Sequence, residues 1–245
     1  MTSRNIFATC ATIVGTLSTL HGAITWNAAA DFHNNETSAT ELSNPNAQVP
    51  VWSYGYRESF ASATITLFGT GQHSNAINTN VKFQGWVTGA SVIVGTNVSA
   101  GLDNGLNPGQ MLVHPGSLAS NPTYNVVRFT APTAGSYNIA ASWFAVSTTT
   151  GTGLDGVDTH VVVNGASIYD ALAAPGATKT TGTLNVNLSA GGFVDFVVGP
   201  GASGNNTNDS TIFDANITLV PEPSSTLLLL GALPLCFVRR RKAAN

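Results

Sequence analysis

Two cysteines in 245 residues leave little room for thiol chemistry, and both lie at the ends of the chain, as Cys10 and Cys236. The long stretch between them has none. Disulfides, thiolate nucleophiles and cysteine-ligated metals are thereby excluded from it. Charge is equally scarce: only 9% of residues are Asp, Glu, Lys or Arg, with nine basic residues against twelve acidic ones. Arg4 sits near the N-terminus, and Arg239, Arg240, Arg241 and Lys242 cluster at the C-terminus. The interior keeps only Arg57, Lys82, Arg128 and Lys179 as cations. Such a mildly acidic body cannot neutralise a phosphate backbone, so no nucleic-acid partner is expected. Gly-x-Ser-x-Gly and phosphate-cradling glycine motifs are also missing. Glycoside hydrolysis normally needs two carboxylates facing across a cleft, and Glu36, Glu41 and Glu58 show no obvious pairing. No catalytic residues and no enzymatic activity are expected.

Both ends carry signals. Arg4, then the apolar and small residues from Ile6 to Leu20, then Ala23 follow the layout of a secretory signal peptide. At the other end Pro221-Glu222-Pro223 breaks any strand or helix, an apolar run follows from Ser225 to Val238, and the Arg239-Arg240-Arg241-Lys242 cluster closes the chain. The run contains Pro234 and falls short of the roughly 20 residues a stable span needs. In its three-part order this tail resembles the PEP-CTERM sorting signal of exopolysaccharide-producing Gram-negative bacteria. The resemblance implies a sorting protease acting at the motif and a transient inner-membrane association. It further implies delivery to the cell surface or its polysaccharide matrix, with extracellular polysaccharide as a partner. The expected division is a signal peptide over 1–23, a folded domain over 24–219 and the sorting signal over 220–245.

Strand patterning fills the middle. Tyr137, Ile139, Ala141 and Trp143 alternate with Asn138, Ala140 and Ser142. Leu184 to Leu188 and Phe213 to Leu219 repeat that period of two, which marks half-buried strands. Phe193 to Val198 is apolar at nearly every position and reads as a central strand covered on both faces. Further strands are predicted over Ala63–Phe68, Asn80–Val87, Gln110–His114, Tyr124–Thr130 and Thr159–Asn164. Turn signals separate them at Ala131–Gly135, Asn164-Gly165 and Gly199-Pro200-Gly201. No 3.6-residue apolar period stands out, and only Tyr169 to Ala174 suggests a helical turn. Many short strands at this spacing predict an all-β fold, an antiparallel, jelly-roll-like β-sandwich. Trp52-Ser-Tyr-Gly-Tyr56, Leu112-Val-His-Pro-Gly116, Val126 to Pro132 and Val194-Asp-Phe196 resemble a group of secreted planctomycete and verrucomicrobial β-sandwich proteins, largely uncharacterised. Gly191-Gly192 departs from that group, which tends to have an acidic residue before the buried strand.

Candidate sites have competing readings. Extended, Trp52, Tyr54 and Tyr56 share one face; turned inward they are core, and turned outward they would form a platform for stacking sugar rings. Trp86 and Trp143 read as core. Asp155 and Asp158, and separately Asn205, Asn206, Asn208 and Asp209, are oxygen-rich clusters among glycines. Turn chemistry accounts for them, and a structural Ca²⁺ on Asp155, Asp158, Asn206 and Asp209 is the alternative; no other cofactor is expected. His114, before Pro-Gly, reads as a turn-anchoring donor. His33 and His73 fall in loop-like stretches, and no zinc-ligand spacing is present.

Overall fold

The computed structural model describes residues 22–38, 43–59, 62, 64–69, 73–74, 83–88, 91–103, 105–118 and 121–221. The signal peptide through residue 21 and the sorting-motif residues Glu222, Pro223, Arg239, Arg240 and Arg241 lie outside the described residues. Ala23–Val220 forms one compact unit. Its strands are β1 (Ile24–Asn27), β2 (Trp52–Arg57), β3 (Thr66–Leu67), β4 (His73–Ser74), β5 (Phe83–Val87), β6 (Ile93–Asn97), β7 (Met111–His114) and β8 (Gly116–Leu118). They continue with β9 (Asn121–Thr130), β10 (Gly135–Ala145), β11 (Val157–Val163), β12 (Ala166–Ala173), β13 (Thr178–Thr180), β14 (Leu184–Leu188), β15 (Phe193–Gly199) and β16 (Thr211–Val220). One helix, α1, spans Ala28–Ser38.

The strands form two antiparallel sheets. The first runs β13-β10-β16-β7-β6-β5-β4, with β1 also on β16 and β14 also on β10. The second runs β12-β11-β15-β9-β2-β3, with β8 beside β9. The chain changes sheet between β9 and β10, between β10 and β11 and again between β15 and β16. That alternation is the jelly-roll-like sandwich expected from the pattern. Tyr137, Ile139, Ala141 and Trp143 of β10 face Val127, Phe129, Val161 and Phe196 of the second sheet in one buried core. The β15 strand is central, between β11 and β9, and buried along nearly its whole length.

Two local assignments differ from expectation. Residues 28–38 are helical because Asn27 accepts a hydrogen bond from Ala30 N at 2.7 Å, an N-cap that satisfies an orphan donor. Three alanines follow the cap, and Ala28 and Phe32 bury one face. His33 therefore stands on a helix, and His73 stands in β4. Tyr169 to Ala173 is strand, not helical turn: β12 pairs with β11 through Val161↔Tyr169 to Val157↔Ala173. The β11–β12 hairpin turns on Asn164 and Gly165, both at positive φ (47° and 89°), the conformation a two-residue primed turn requires.

Candidate functional site

The aromatic row of β2 points inward. Trp52 and Tyr54 are 0% exposed, and Tyr56 is half-buried and packs on the same core. Trp52 Nε1 donates to Asp31 Oδ2 at 2.8 Å. Its ring meets Phe129 at 5.4 Å, and Tyr54 stacks on Trp86 of the opposite sheet at 5.5 Å. An exposed stacking platform on Trp52, Tyr54 and Tyr56 is thereby corrected: Trp52 and Tyr54 are buried between the two sheets and cannot reach a sugar, which leaves the partly exposed Tyr56 without the row it would need. Trp86 and Trp143 are core, as expected.

The other face of the second sheet carries charge. Arg128 grips Asp195 with two bonds, Nε to Oδ1 at 2.6 Å and Nη2 to Oδ2 at 2.9 Å. Arg57 adds a third contact to Oδ2 at 3.4 Å and donates to Ser62 O at 2.6 Å. Asp195 is fully buried and Arg57 nearly so. Burial pushes the Arg57 guanidinium below its ordinary value, and the Asp195 charge opposes that. The bidentate geometry fixes register between β9 and β15. Sequence reading missed this network, although it had noted Arg57, Arg128 and the Val194-Asp-Phe196 segment separately.

His114 and His160 titrate in opposite directions. His114 donates from Nδ1 to Pro115 O, the expected turn anchor; burial holds its imidazole below the usual value despite backbone acceptors. His160 bridges Asp158 at 2.8 Å and Asp170 at 2.5 Å. Burial lowers its pKa, but the two carboxylates outweigh that and raise it. The signs follow by linkage. The His160 contribution is complete below about 6.5 and is lost as pH rises through its raised folded value. The His114 contribution is present above about 6.5 and is lost on acidification below that. His160→Gln should therefore remove stability chiefly on the acidic side, and His114→Gln should flatten the acid loss. Parallel melting curves of the variants and wild type between pH 5 and 8 read this directly; identical pH profiles would contradict it.

The acidic loops meet at one end of the sandwich. Asp155 accepts from Ser203 Oγ at 2.6 Å and Ser203 N at 3.0 Å, and Asp158 accepts from Gly201 N at 2.7 Å. Asn206 turns its amide to Pro115 O at 3.4 Å. Asp209 is 3% exposed; burial, with Asp155 and Asp158 adding repulsion, pushes its carboxyl up to about 7. The two clusters that the sequence shows separately are thus adjacent. Among the described residues, no three acidic or imidazole side chains gather closely enough to hold a metal ion by themselves.

A cleft of about 530 Å³ opens where α1 meets the outer face of the first sheet. Its polar lining is Asn27, His33, Asn34, Gln110, Ser142 and Asp214, and small or apolar residues of α1, β16 and the 108–111 segment line the rest. Among the described residues of that lining Asp214 is the sole carboxylate, and none is Lys or Arg. Its oxygens accept from Asn27 Nδ2 at 3.0 and 3.2 Å and from Ala29 N at 3.3 Å. It thus fixes the start of the helix against β16. Beyond the cleft the same face continues as a polar surface: Asn27 donates to Asn216 at 3.0 Å, Thr25 and Thr218 hydroxyls meet at 2.8 Å, and Asn185 donates to Asn138 at 2.9 Å. Sequence reading missed the cleft because its residues come from β1, α1, the 108–111 segment, β10 and β16. The alternating Asn, Ser and Thr positions of β10, β14 and β16 were its only local trace.

No family model matches the chain, and no curated protein does. Solved structures with partial likeness include a pika GITRL structure, at 13% identity over 40% of this chain and 76% of that one, with a TM-score of 0.28. A family 35 carbohydrate-binding module from Clostridium thermocellum is 14% identical over 44% of this chain and 76% of its own, TM-score 0.27. A Podospora anserina GH26-CBM35 β-(1,4)-mannanase is 14% identical over 83% of this chain and 29% of its own, TM-score 0.29. Likeness at that level assigns no activity.

Proposed function

We propose that this chain is a non-catalytic, exported β-sandwich of the cell surface or its polysaccharide matrix that engages neutral saccharide through the cleft beside α1. The cleft's lining carries the reading. Amide, hydroxyl and imidazole groups offer donors and acceptors to a polyhydroxyl ligand, and among the described lining residues no Lys or Arg is there to neutralise an anion. Hydrolysis of a glycosidic bond needs a second carboxylate opposite the first. Among the described residues of the cleft Asp214 has none, and it is already committed to Asn27 and Ala29. The tail's resemblance to a PEP-CTERM signal supports export to the surface matrix, where polysaccharide is the abundant ligand.

Affinity electrophoresis on polysaccharide gels tests the cleft. Ala30 is exposed on α1 and lines the opening, so Ala30→Trp should fill it without disturbing the core. The variant should lose roughly tenfold in affinity, about 1.4 kcal/mol, at an unchanged melting temperature. Equal retention of variant and wild type would reject the cleft, and retention of neither would leave a structural matrix protein. For export, intact mass of surface-located protein from the native host should show neither the signal peptide nor the Arg-rich end; recovery of Arg239–Asn245 on that material would refute sorting.

A further inference from the structure

The Asp209 carboxylate is the least satisfied acidic group in the acidic loops. It lies just before β16, is 3% exposed, and its Oδ2 has no hydrogen-bond partner. A buried carboxylate oxygen without a donor costs stability unless a proton or a cation occupies it. Among the described residues no Lys or Arg is bonded to it, and the charges that act on it are Asp155 and Asp158, both negative. The neighbouring loops are held in place rather than free to turn away. Ser203 ties Asp155 through both its backbone N and its hydroxyl, and Gly201 N ties Asp158. Gly201 itself approaches so closely that an added Cβ would lie 2.5 Å from Gly156 O and 3.1 Å from Asp155 Oδ1. The two loops are thus locked together with their carboxylates on the same end of the sandwich.

We propose that the loops 153–158 and 201–209 bind one hard divalent cation, calcium by its oxygen preference, with Asp209 as the buried anchor and Asp155 and Asp158 as flanking carboxylates. Carboxylates alone do not complete the shell. Calcium takes six to eight oxygens and accepts amide oxygens, backbone carbonyls and water, which these loops of Gly, Ser and Asn supply in abundance. The ion would neutralise three neighbouring acidic groups and fasten the β10–β11 connection to the β15–β16 connection. This inference is independent of saccharide binding at the cleft, which lies on α1 and the first sheet.

The test uses the full chain, stripped with EDTA and then titrated with CaCl₂ or MgCl₂. Saturating calcium should raise the melting temperature by roughly 5–10 °C, with magnesium weaker, and elemental analysis should find one calcium per chain. Asp209→Asn keeps the shape and removes the charge. It should fold without calcium and show no calcium shift. Asp155→Asn, at the solvent-facing side, should weaken calcium at least tenfold. A wild-type melting temperature indifferent to calcium overturns the proposal. So does a shift that persists in Asp209→Asn, because the ion would then sit elsewhere.

Discussion

Trp52→Ala is expected to lower stability by about 3–5 kcal/mol, measured as the shift of the urea midpoint of Ala23–Val220 at constant slope. Trp52 is completely buried, packs on Phe129 and Phe196, and donates to Asp31. Its truncation opens a cavity between the sheets and also strips Asp31 of its indole donor. Burial raises the Asp31 carboxyl while the indole bond lowers it, so the carboxyl loses its stabilising contact when the ring goes. Tyr54→Ala should behave alike, since Tyr54 touches Phe32 and Trp86 across the core. Saccharide retention should remain in whatever fraction stays folded. A loss below about 1 kcal/mol for both variants would mean the rings are not packed as described.

Asp195→Ala is expected to cost a similar amount, about 3–5 kcal/mol, for a different reason. The substitution leaves Arg57, whose side chain is 1% exposed, without its countercharge. Arg128 is better placed to escape, since its side chain keeps 17% exposure and its guanidinium also lies 3.9 Å over the Phe193 ring. Asp195→Leu combined with Arg57→Met should recover most of the loss, because replacing a buried ion pair by apolar side chains of similar size is often neutral. Urea titrations of the single and double variants give the comparison. A double variant no better than Asp195→Ala would show that the charges are not coupled.

Most strands are legible in the sequence because one face of each is buried, and a period of two then appears in β10, β14 and β16. The β15 run shows its central place the same way, through burial on both faces. Helix α1 is not legible because, among its described side chains, the fully buried ones are Ala28 and Phe32, too few positions to establish a period of 3.6. Its real signal is the Asn27 cap followed by three alanines. The β12 segment has the alanine and leucine content of a helix, but pairing with β11 overrides that local preference. For Trp52, Tyr54 and Tyr56, alternation reveals a shared face but not which side of the sheet it occupies. That choice is made by β9 and β3 on either flank. Site residues are harder still to read, because Arg57 and Asp195 are 138 positions apart and Asp155 and Ser203 are 48 apart. Nothing local records such meetings; the glycines and Asx residues around the acidic loops indicate turns and leave the meeting of the 153–158 and 201–209 loops to the topology.

A glycan array of immobilised neutral and anionic polysaccharides, probed with Ala23–Val220 and its Ala30→Trp variant side by side, reads saccharide binding at the cleft. Binding should be confined to neutral saccharides and lost in the variant. Binding to anionic glycans that survives Ala30→Trp, or wild-type binding to no glycan at all, would contradict it.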